Sequence, residues 1–213
     1  MKKINEVLTP QAPALKEKVL QFGEGNFLRA FTDWMINKAN KQGCFDGSIV
    51  LCQPIAKGMG EIINSQDGMY TLIMRGIENG QAVEKIEPNT SVSRCINPYE
   101  DYEALLSMAR SKDLKVVISN TTEAGIAYKA GDKLNDRPAQ SFPAKVCAFL
   151  YERYQTFNGA KDMGLLFLPV ELIDNNGANL LRIVLQYAEE WGLEEGFKTW
   201  VRESNHFCST LVD

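Results

Sequence analysis

Histidine is almost missing from this chain: His206 stands alone among 213 residues. A multi-histidine metal site is therefore excluded, and any Ser–His or His–Asp mechanism held within the chain has to use that one imidazole. Paired cysteines are missing as well. Cys44, Cys52, Cys95, Cys147 and Cys208 are odd in number, scattered, and never spaced as C-x-x-C. Reduced, mostly buried thiols are expected rather than a zinc site or a disulfide framework. No apolar run approaches membrane-spanning length, and Met1 to Lys18 has lysines without the apolar core of a signal peptide. A cytoplasmic protein is expected. An excess of positive charge is also lacking: the net charge is -4, so neither nucleic acid nor an acidic membrane is expected as a partner. There is no internal repeat and no low-complexity linker. A chain of this length with 45% hydrophobic and 23% charged residues can bury a sizeable core.

What is present centres on Lys18–Phe31. It reads as a buried strand (Val19 to Phe22), a glycine turn, and the start of a helix. Gly23 suits a backbone angle that other residues resist. Gly25 offers no side chain, so a diphosphate can approach the main chain and meet the N–H groups and positive dipole end of the helix. Dinucleotide-binding folds open this way, usually with a third glycine where this chain has Leu28. The competing reading is a plain tight turn.

The helix from Asn26 to Gln42 places Phe27, Ala30, Phe31, Trp34, Met35 and Ala39 at helical spacing, which predicts an apolar face packed on a sheet. Ser48 to Gln53 reads as a parallel strand covered on both sides. Met69 to Ile77 and Gln81 to Ile96 read as extended runs around Asn79–Gly80, a hairpin signal. Pro98 begins a helix through Ala109, and Leu114 to Ser119 reads as the third core strand. Residues 129 to 140 are loop-like, Phe142 to Phe157 helical, and Met163 to Val170 another strand. Helices over Gly177–Trp191 and Glu194–Glu203 and a strand over His206–Val212 follow. The expected fold is α/β: one doubly wound Rossmann-type sheet with an antiparallel β-hairpin insertion.

Ligands of such sheets sit beyond the C-terminal strand ends. The candidate cofactor residues are therefore Phe22, Gly23, Glu24, Gly25, Asn26 and Phe27, then Gln53, then Asn120, Thr121, Thr122 and Glu123. The place that usually carries a ribose-binding acid holds Gln53, with Lys57 nearby, which leaves NADP open beside NAD. The bland alternative for Thr121 or Thr122 is a helix cap. After the fourth strand come the acidic Glu171 and Asp174, and then Asn175 and Asn176, whose amides suit a substrate hydroxyl or a developing alkoxide; the same stretch also suits a capped turn. His206, beside Phe207, reads as a structural residue, and Phe27, Phe31 and Trp34 as core.

These pieces together resemble the mannitol dehydrogenase family of polyol-specific long-chain dehydrogenases. The resemblance rests on Gly23-x-Gly25-Asn26-Phe27-x-Arg29-Ala30-Phe31, on Gln66-Asp67-Gly68-Met69-Tyr70-Thr71-Leu72, on Asn120–Gly125 and on Ser209–Asp213. In that family the third glycine is commonly missing. Leu20–Phe31, Ser119–Ile126 and Leu168–Ile173 are similar to its uronate-reducing branch. That implies reversible, NAD-dependent reduction of D-tagaturonate to D-altronate in hexuronate catabolism. The alternatives are another polyol or uronate dehydrogenase of the family, an S-adenosylmethionine-dependent methyltransferase, or a non-catalytic nucleotide-binding module. The family's substrate-holding asparagine is not matched at Leu172; Asn175 or Asn176 is the stand-in, and Asp213 matches a family aspartate. The family's proton-donating lysine lies in a helical C-terminal domain whose motif this chain lacks. No catalytic residue and no metal ligand is therefore expected within residues 1–213, which read as the cofactor-binding domain. The implied partner is a small uronate or polyol.

Overall fold

The computed structural model describes residues 2–8, 15–122 and 125–211. Glu123 and Asp213 lie outside them. Six parallel strands form the central sheet: β1 (Lys16–Phe22), β2 (Gly47–Cys52), β5 (Val92–Ile96), β6 (Val116–Ser119), β7 (Leu166–Pro169) and β8 (His206–Phe207), in the order β5-β2-β1-β6-β7-β8. Two further strands, β3 (Tyr70–Glu78) and β4 (Gln81–Asn89), pair antiparallel as a separate ribbon. Positive φ at Asn79 (53°) and Gly80 (78°) fits the tight turn that Asn-Gly favours.

The sheet is buried on both faces because side chains alternate along each strand. Leu20, Phe22, Val50 and Cys52 face one core, shared with α5 (Phe142–Thr156), α6 (Asn176–Glu190) and α7 (Glu195–Ser204). Val19, Ile49 and Leu51 face the other, with Leu28 of α1 (Asn26–Ala30), Ile63 of α3 (Gly60–Asn64) and Tyr70. The larger core also holds α4 (Tyr102–Ala109), capped by Asp101, whose carboxylate accepts from the Ala104 N–H at 3.1 Å.

A fully buried cation ties the larger core together. Arg153 donates Nε to the Met163 carbonyl at 2.7 Å and Nη1 to those of Ala109 (2.8 Å) and Ser111 (2.7 Å). Nη2 reaches the Leu114 carbonyl at 3.4 Å. No carboxylate pairs with it among the described residues, and burial pulls its pKa down to about 10.

Several sequence expectations are corrected. The extended run Gln81–Ile96 divides: β4 ends at Asn89 and β5 joins the main sheet beside β2. The strand ending at Ser119 is therefore the fourth of the sheet in chain order, not the third. The helix from Asn26 breaks at Phe31 (φ -113°, ψ -85°) into α1 and α2 (Thr32–Lys41). Its inner face is polar, with Asp33 and Asn37 buried, while Phe27 and Met35 are exposed. The kink rotates the apolar stripe outward, which a spacing argument for one straight helix cannot anticipate. Helix α4 starts at Tyr102, four residues beyond Pro98, and the last strand is limited to His206–Phe207. The His206 side chain is exposed rather than packed. The cysteines are free, with Cys52, Cys95 and Cys147 buried.

Candidate functional site

The strand order reverses between β1 and β6: the chain runs outward through β2 and β5 on one side, and through β7 and β8 on the other. The crevice beyond these two strand ends is where such sheets take ligands. Gly23 sits at its floor with φ +121°, and its N–H donates to the Cys52 carbonyl at 3.0 Å. A Cβ there would lie 3.0 Å from the Asn120 carbonyl oxygen and 3.2 Å from Leu28 Cδ1. Leu28, in the usual third-glycine place, is thus packed over the hydrogen of Gly23. Gly25 differs: a Cβ on it would meet nothing within 4 Å. It precedes α1 with no side chain capping the helix, so the first N–H groups of α1 open onto that space.

The loops beyond β6 and β7 are locked together. Buried Glu171 accepts from Ser119 Oγ (3.1 Å), the Thr121 N–H (3.0 Å) and Thr121 Oγ1 (2.9 Å). Asn120 donates its amide to the Val170 carbonyl at 2.9 Å. Thr122 adopts φ +74°, unusual for a β-branched residue, and Gly125 packs where a Cβ would come within 1.9 Å of Thr121 Oγ1. Asn176 is buried, its amide donating to the carbonyls of Pro169 and Glu171 at 3.0 Å each. Its oxygen accepts from the N–H groups of Gly177 (2.8 Å) and Thr210 (3.0 Å). With both ends committed, Asn176 joins loops and offers nothing to a substrate. Asn175, at φ +52°, is exposed.

The loop beyond β2 is held from both ends. Gln53 is buried, donating to the Ile55 carbonyl (3.3 Å) and accepting from the Gly60 N–H (3.0 Å). Glu24, from the glycine turn, is 8% exposed and accepts from the Met59 N–H at 3.3 Å. Its Oε1 and the Gln53 amide both abut Gly58. A carboxylate therefore stands beside the end of β2, although the residue that directly follows β2 is Gln53. Phe22 turns its ring into the core against Phe142 (5.1 Å, edge-on), so its side chain is not in the crevice. Asn26 accepts from Arg29 at 2.5 Å, and the exposed Phe27 ring lies 5.5 Å from Phe31.

Two hollows flank the β2 loop. One, of about 520 Å³, is lined by Gln53, Lys57, Gly58, Arg94 and Asn97. The other, of about 360 Å³, lies between Pro54–Ile55 on one side and Thr121, Gly125, Ala127 and Tyr128 on the other, with Lys129, Gln140, Ser141 and Lys145 in its wall.

Beneath α1 and α2, Asp33 is fully buried and its pKa rises to about 7, chiefly through desolvation. The Tyr70 phenol lies 2.7 Å from the Arg29 carbonyl and 3.1 Å from Asp33 Oδ2. The raised pKa favours the protonated carboxyl, which can donate to the phenolic oxygen while Tyr70 donates to the Arg29 carbonyl. The unfolded chain releases this proton near 3.8 and the folded one near 7, so stability falls as pH rises through that window. Asp33→Asn is expected to flatten that slope and raise the unfolding temperature at pH 8. Thermal unfolding at pH 5 and pH 8 checks it, and an unchanged slope would contradict a neutral Asp33.

The mannitol dehydrogenase Rossmann-domain family model matches residues 17–213. The chain belongs to the mannitol dehydrogenase family. It is 47% identical over 213 residues to the altronate oxidoreductase of Bacillus subtilis strain 168, covering 100% of this chain and 44% of that protein. Its identity to the altronate oxidoreductase of Klebsiella pneumoniae subsp. pneumoniae is 49% over 198 residues, covering 92% and 41%. The chain thus spans less than half the length of these relatives. In fold it is similar to Pseudomonas fluorescens mannitol 2-dehydrogenase, solved with NAD and D-mannitol (TM-score 0.80, 18% identity, 97% of this chain and 46% of that one). A D-sorbitol dehydrogenase gives a TM-score of 0.81 at 19% identity, covering 100% and 47%. Membership of the mannitol dehydrogenase family sets the methyltransferase alternative aside.

Within this mannitol dehydrogenase domain, sequence reasoning missed one group, Lys145, and the reach of another, Glu24. Glu24 was included as a turn residue, but its reach to the β2 loop has no sequence signal. Lys145 was hidden inside an apolar helix face, where a lysine between Pro143 and Val146 was the available cue. Among the described residues, no group of three His, Cys, Asp or Glu side chains is placed to hold a metal, and no helix is long and apolar enough to cross a membrane.

Proposed function

We propose that this domain binds NAD(H) across the crevice and forms the cofactor-binding part of an enzyme interconverting D-tagaturonate and D-altronate. The observation carrying this reading is the Gly23–Gly25 turn: open space over Gly25 and an uncapped α1 at the point of strand reversal. The N–H groups of α1 receive the diphosphate. The Glu24 carboxylate, beside Gly58, accepts from the adenosine ribose hydroxyls in place of the acid missing after β2. A fixed negative charge there repels a 2′-phosphate, which favours NAD over NADP. Thr122 and Asn120 line the nicotinamide side. The bound cofactor supplies a hydride to the keto carbon of the sugar acid. The domain's own work is to orient the cofactor, while a helical domain in the remaining length of the relatives contributes the proton-donating lysine and most of the substrate site. Residues 1–213 then bind cofactor with little turnover alone. Asn175 is the amide of this domain left free for substrate.

Calorimetric titration with NADH and NADPH tests the reading. Preferential NADH binding is expected, and Glu24→Gln narrows the preference by about tenfold, the scale of one charged contact. Binding of neither cofactor by the wild type, or an unchanged preference in Glu24→Gln, would count against it.

A further inference from the structure

Gln66–Leu72 carries the family resemblance together with the glycine turn, yet none of it lines the hollows beside the β2 loop. Its Tyr70 is buried in the core that Leu28 of α1 shares, and its hydroxyl meets the chain at the break between α1 and α2. At that break the Phe31 N–H donates to the Leu28 carbonyl (3.2 Å) and the Met35 N–H to the Phe31 carbonyl (3.0 Å). The Arg29 carbonyl takes the Tyr70 hydroxyl, at 2.7 Å, and the Arg29 guanidinium lies 5.3 Å from the centre of the phenol ring. Tyr70 thus holds the C-terminal end of the helix that follows Gly25.

Asp33 lies 3.1 Å from the same hydroxyl. It also reaches the floor of the turn: buried Gln21 faces Asp33 and donates its amide to the Gly23 carbonyl at 3.1 Å. Among the described residues, the charged and titratable groups facing Asp33 are Arg29 of α1 and Tyr70 of β3. The other neighbours are neutral: the Gln21 amide of β1, the Thr32 hydroxyl of α2, and the Ser91 hydroxyl, which donates to the Asp33 main-chain carbonyl at 3.1 Å. Desolvation raises the Asp33 pKa to about 7, while burial beside Asp33 holds the Tyr70 phenol far above its usual value, so the phenol keeps its proton.

A hydroxyl between two acceptors has one proton to give. With Asp33 protonated, the carboxyl donates to the phenolic oxygen and Tyr70 donates to the Arg29 carbonyl. An ionised Asp33 is the stronger acceptor and takes the Tyr70 proton from that carbonyl. Resting on the dinucleotide reading above, we propose that Tyr70 is a positioning residue for α1 and that the proton on Asp33 sets whether it holds that helix or releases it. Release loosens α1 at the Phe31 break, and with it the N–H groups beyond Gly25. Cofactor affinity then falls as pH rises through the titration of Asp33, and by reciprocity bound cofactor raises the Asp33 pKa.

The test follows the helix first and the cofactor second. In the cofactor-free wild type, the backbone amide resonances of Asn26–Phe31 are expected to titrate with a midpoint near 7, together with the 13C-labelled Asp33 carboxyl. Asp33→Asn, whose amide donates as the protonated acid does, removes the titration. Tyr70→Phe silences it at Asn26–Phe31 while the Asp33 carboxyl still titrates. NADH affinity falls about fivefold between pH 6 and pH 9 in the wild type, as one neutral hydrogen bond is worth, and stays flat in Asp33→Asn. Amides that do not respond to pH, or the same response in Tyr70→Phe, overturn the clamp whether or not cofactor binds. Where a variant fails to fold, the wild-type amides and carboxyl must share one midpoint, and separate midpoints overturn the proposal. NADH binding with an affinity indifferent to pH, beside titrating amides, overturns the positioning role alone. Failure of the wild type to bind NADH at any pH overturns the dinucleotide reading as well.

Discussion

Gly25→Val is expected to weaken NADH binding by about a hundredfold while leaving the fold nearly as stable as before. The backbone at Gly25 is ordinary (φ -68°, ψ 166°), and a Cβ there touches nothing, so valine enters without strain. The change of cap residue costs less than about 1 kcal/mol. The same open space is the approach to the first N–H groups of α1. A branched side chain standing in it holds the diphosphate away. Two hydrogen bonds to a charged group are then lost, about 3 kcal/mol together, which is roughly two decades in affinity. Gly23→Ala makes the contrast. Its φ of +121° and the Asn120 carbonyl 3.0 Å away mean that alanine strains the turn itself, so binding and stability fall together. Paired NADH titration and urea unfolding of the two variants check this. Wild-type affinity in Gly25→Val would show that the turn holds no phosphate.

Arg153→Met is expected to cost about 3–5 kcal/mol of stability, a large share of what a domain of this size possesses. Methionine fills much the same volume. It leaves the carbonyls of Met163, Ala109, Ser111 and Leu114 without their donor, in a core that water does not reach. Arg153→Lys recovers little, because one ammonium cannot span acceptors spread around a planar guanidinium. Urea unfolding distinguishes the cases, and a midpoint within error of wild type for Arg153→Met would refute the assignment. The loss is structural, so any folded Arg153 variant retains NADH affinity.

Much of this was legible in the sequence. Val19–Phe22, Ser48–Gln53 and Leu114–Ser119 are short apolar runs bounded by turns, which is how strands buried on both faces read. Asn79–Gly80 fixed the ribbon because its turn needs two positive φ angles. The glycine turn was legible down to the positive φ of Gly23 and the open space beside Gly25. The errors share a cause. Spacing arguments assume straight elements and apolar interiors. The break at Phe31 defeats the first, so Asp33 and Asn37 rather than Trp34 and Met35 point inward. The join of β4 to β5 defeats the second assumption in another way: Thr90–Ser91 carries no glycine or proline to mark the passage from ribbon to sheet. Asn176, Gln53 and Glu171 have the side chains of a binding site but spend them on main-chain and loop contacts. Which polar residue near a strand end is free and which is committed depends on partners distant in sequence.

The β3–β4 ribbon begins and ends at one place, since Tyr70 and Asn89 face each other across the ladder. Seen from the sheet, everything between them is a single closed excursion. Residues can be added to or removed from its tip in facing pairs without altering the register at its base or the spacing of β2 and β5. Tyr70, through Arg29 and Asp33, belongs to the body of the domain; Ile77, 80% exposed, does not. The tip is therefore the part of this domain most open to evolutionary drift in length and to deliberate insertion, while the first rung of the ladder is not.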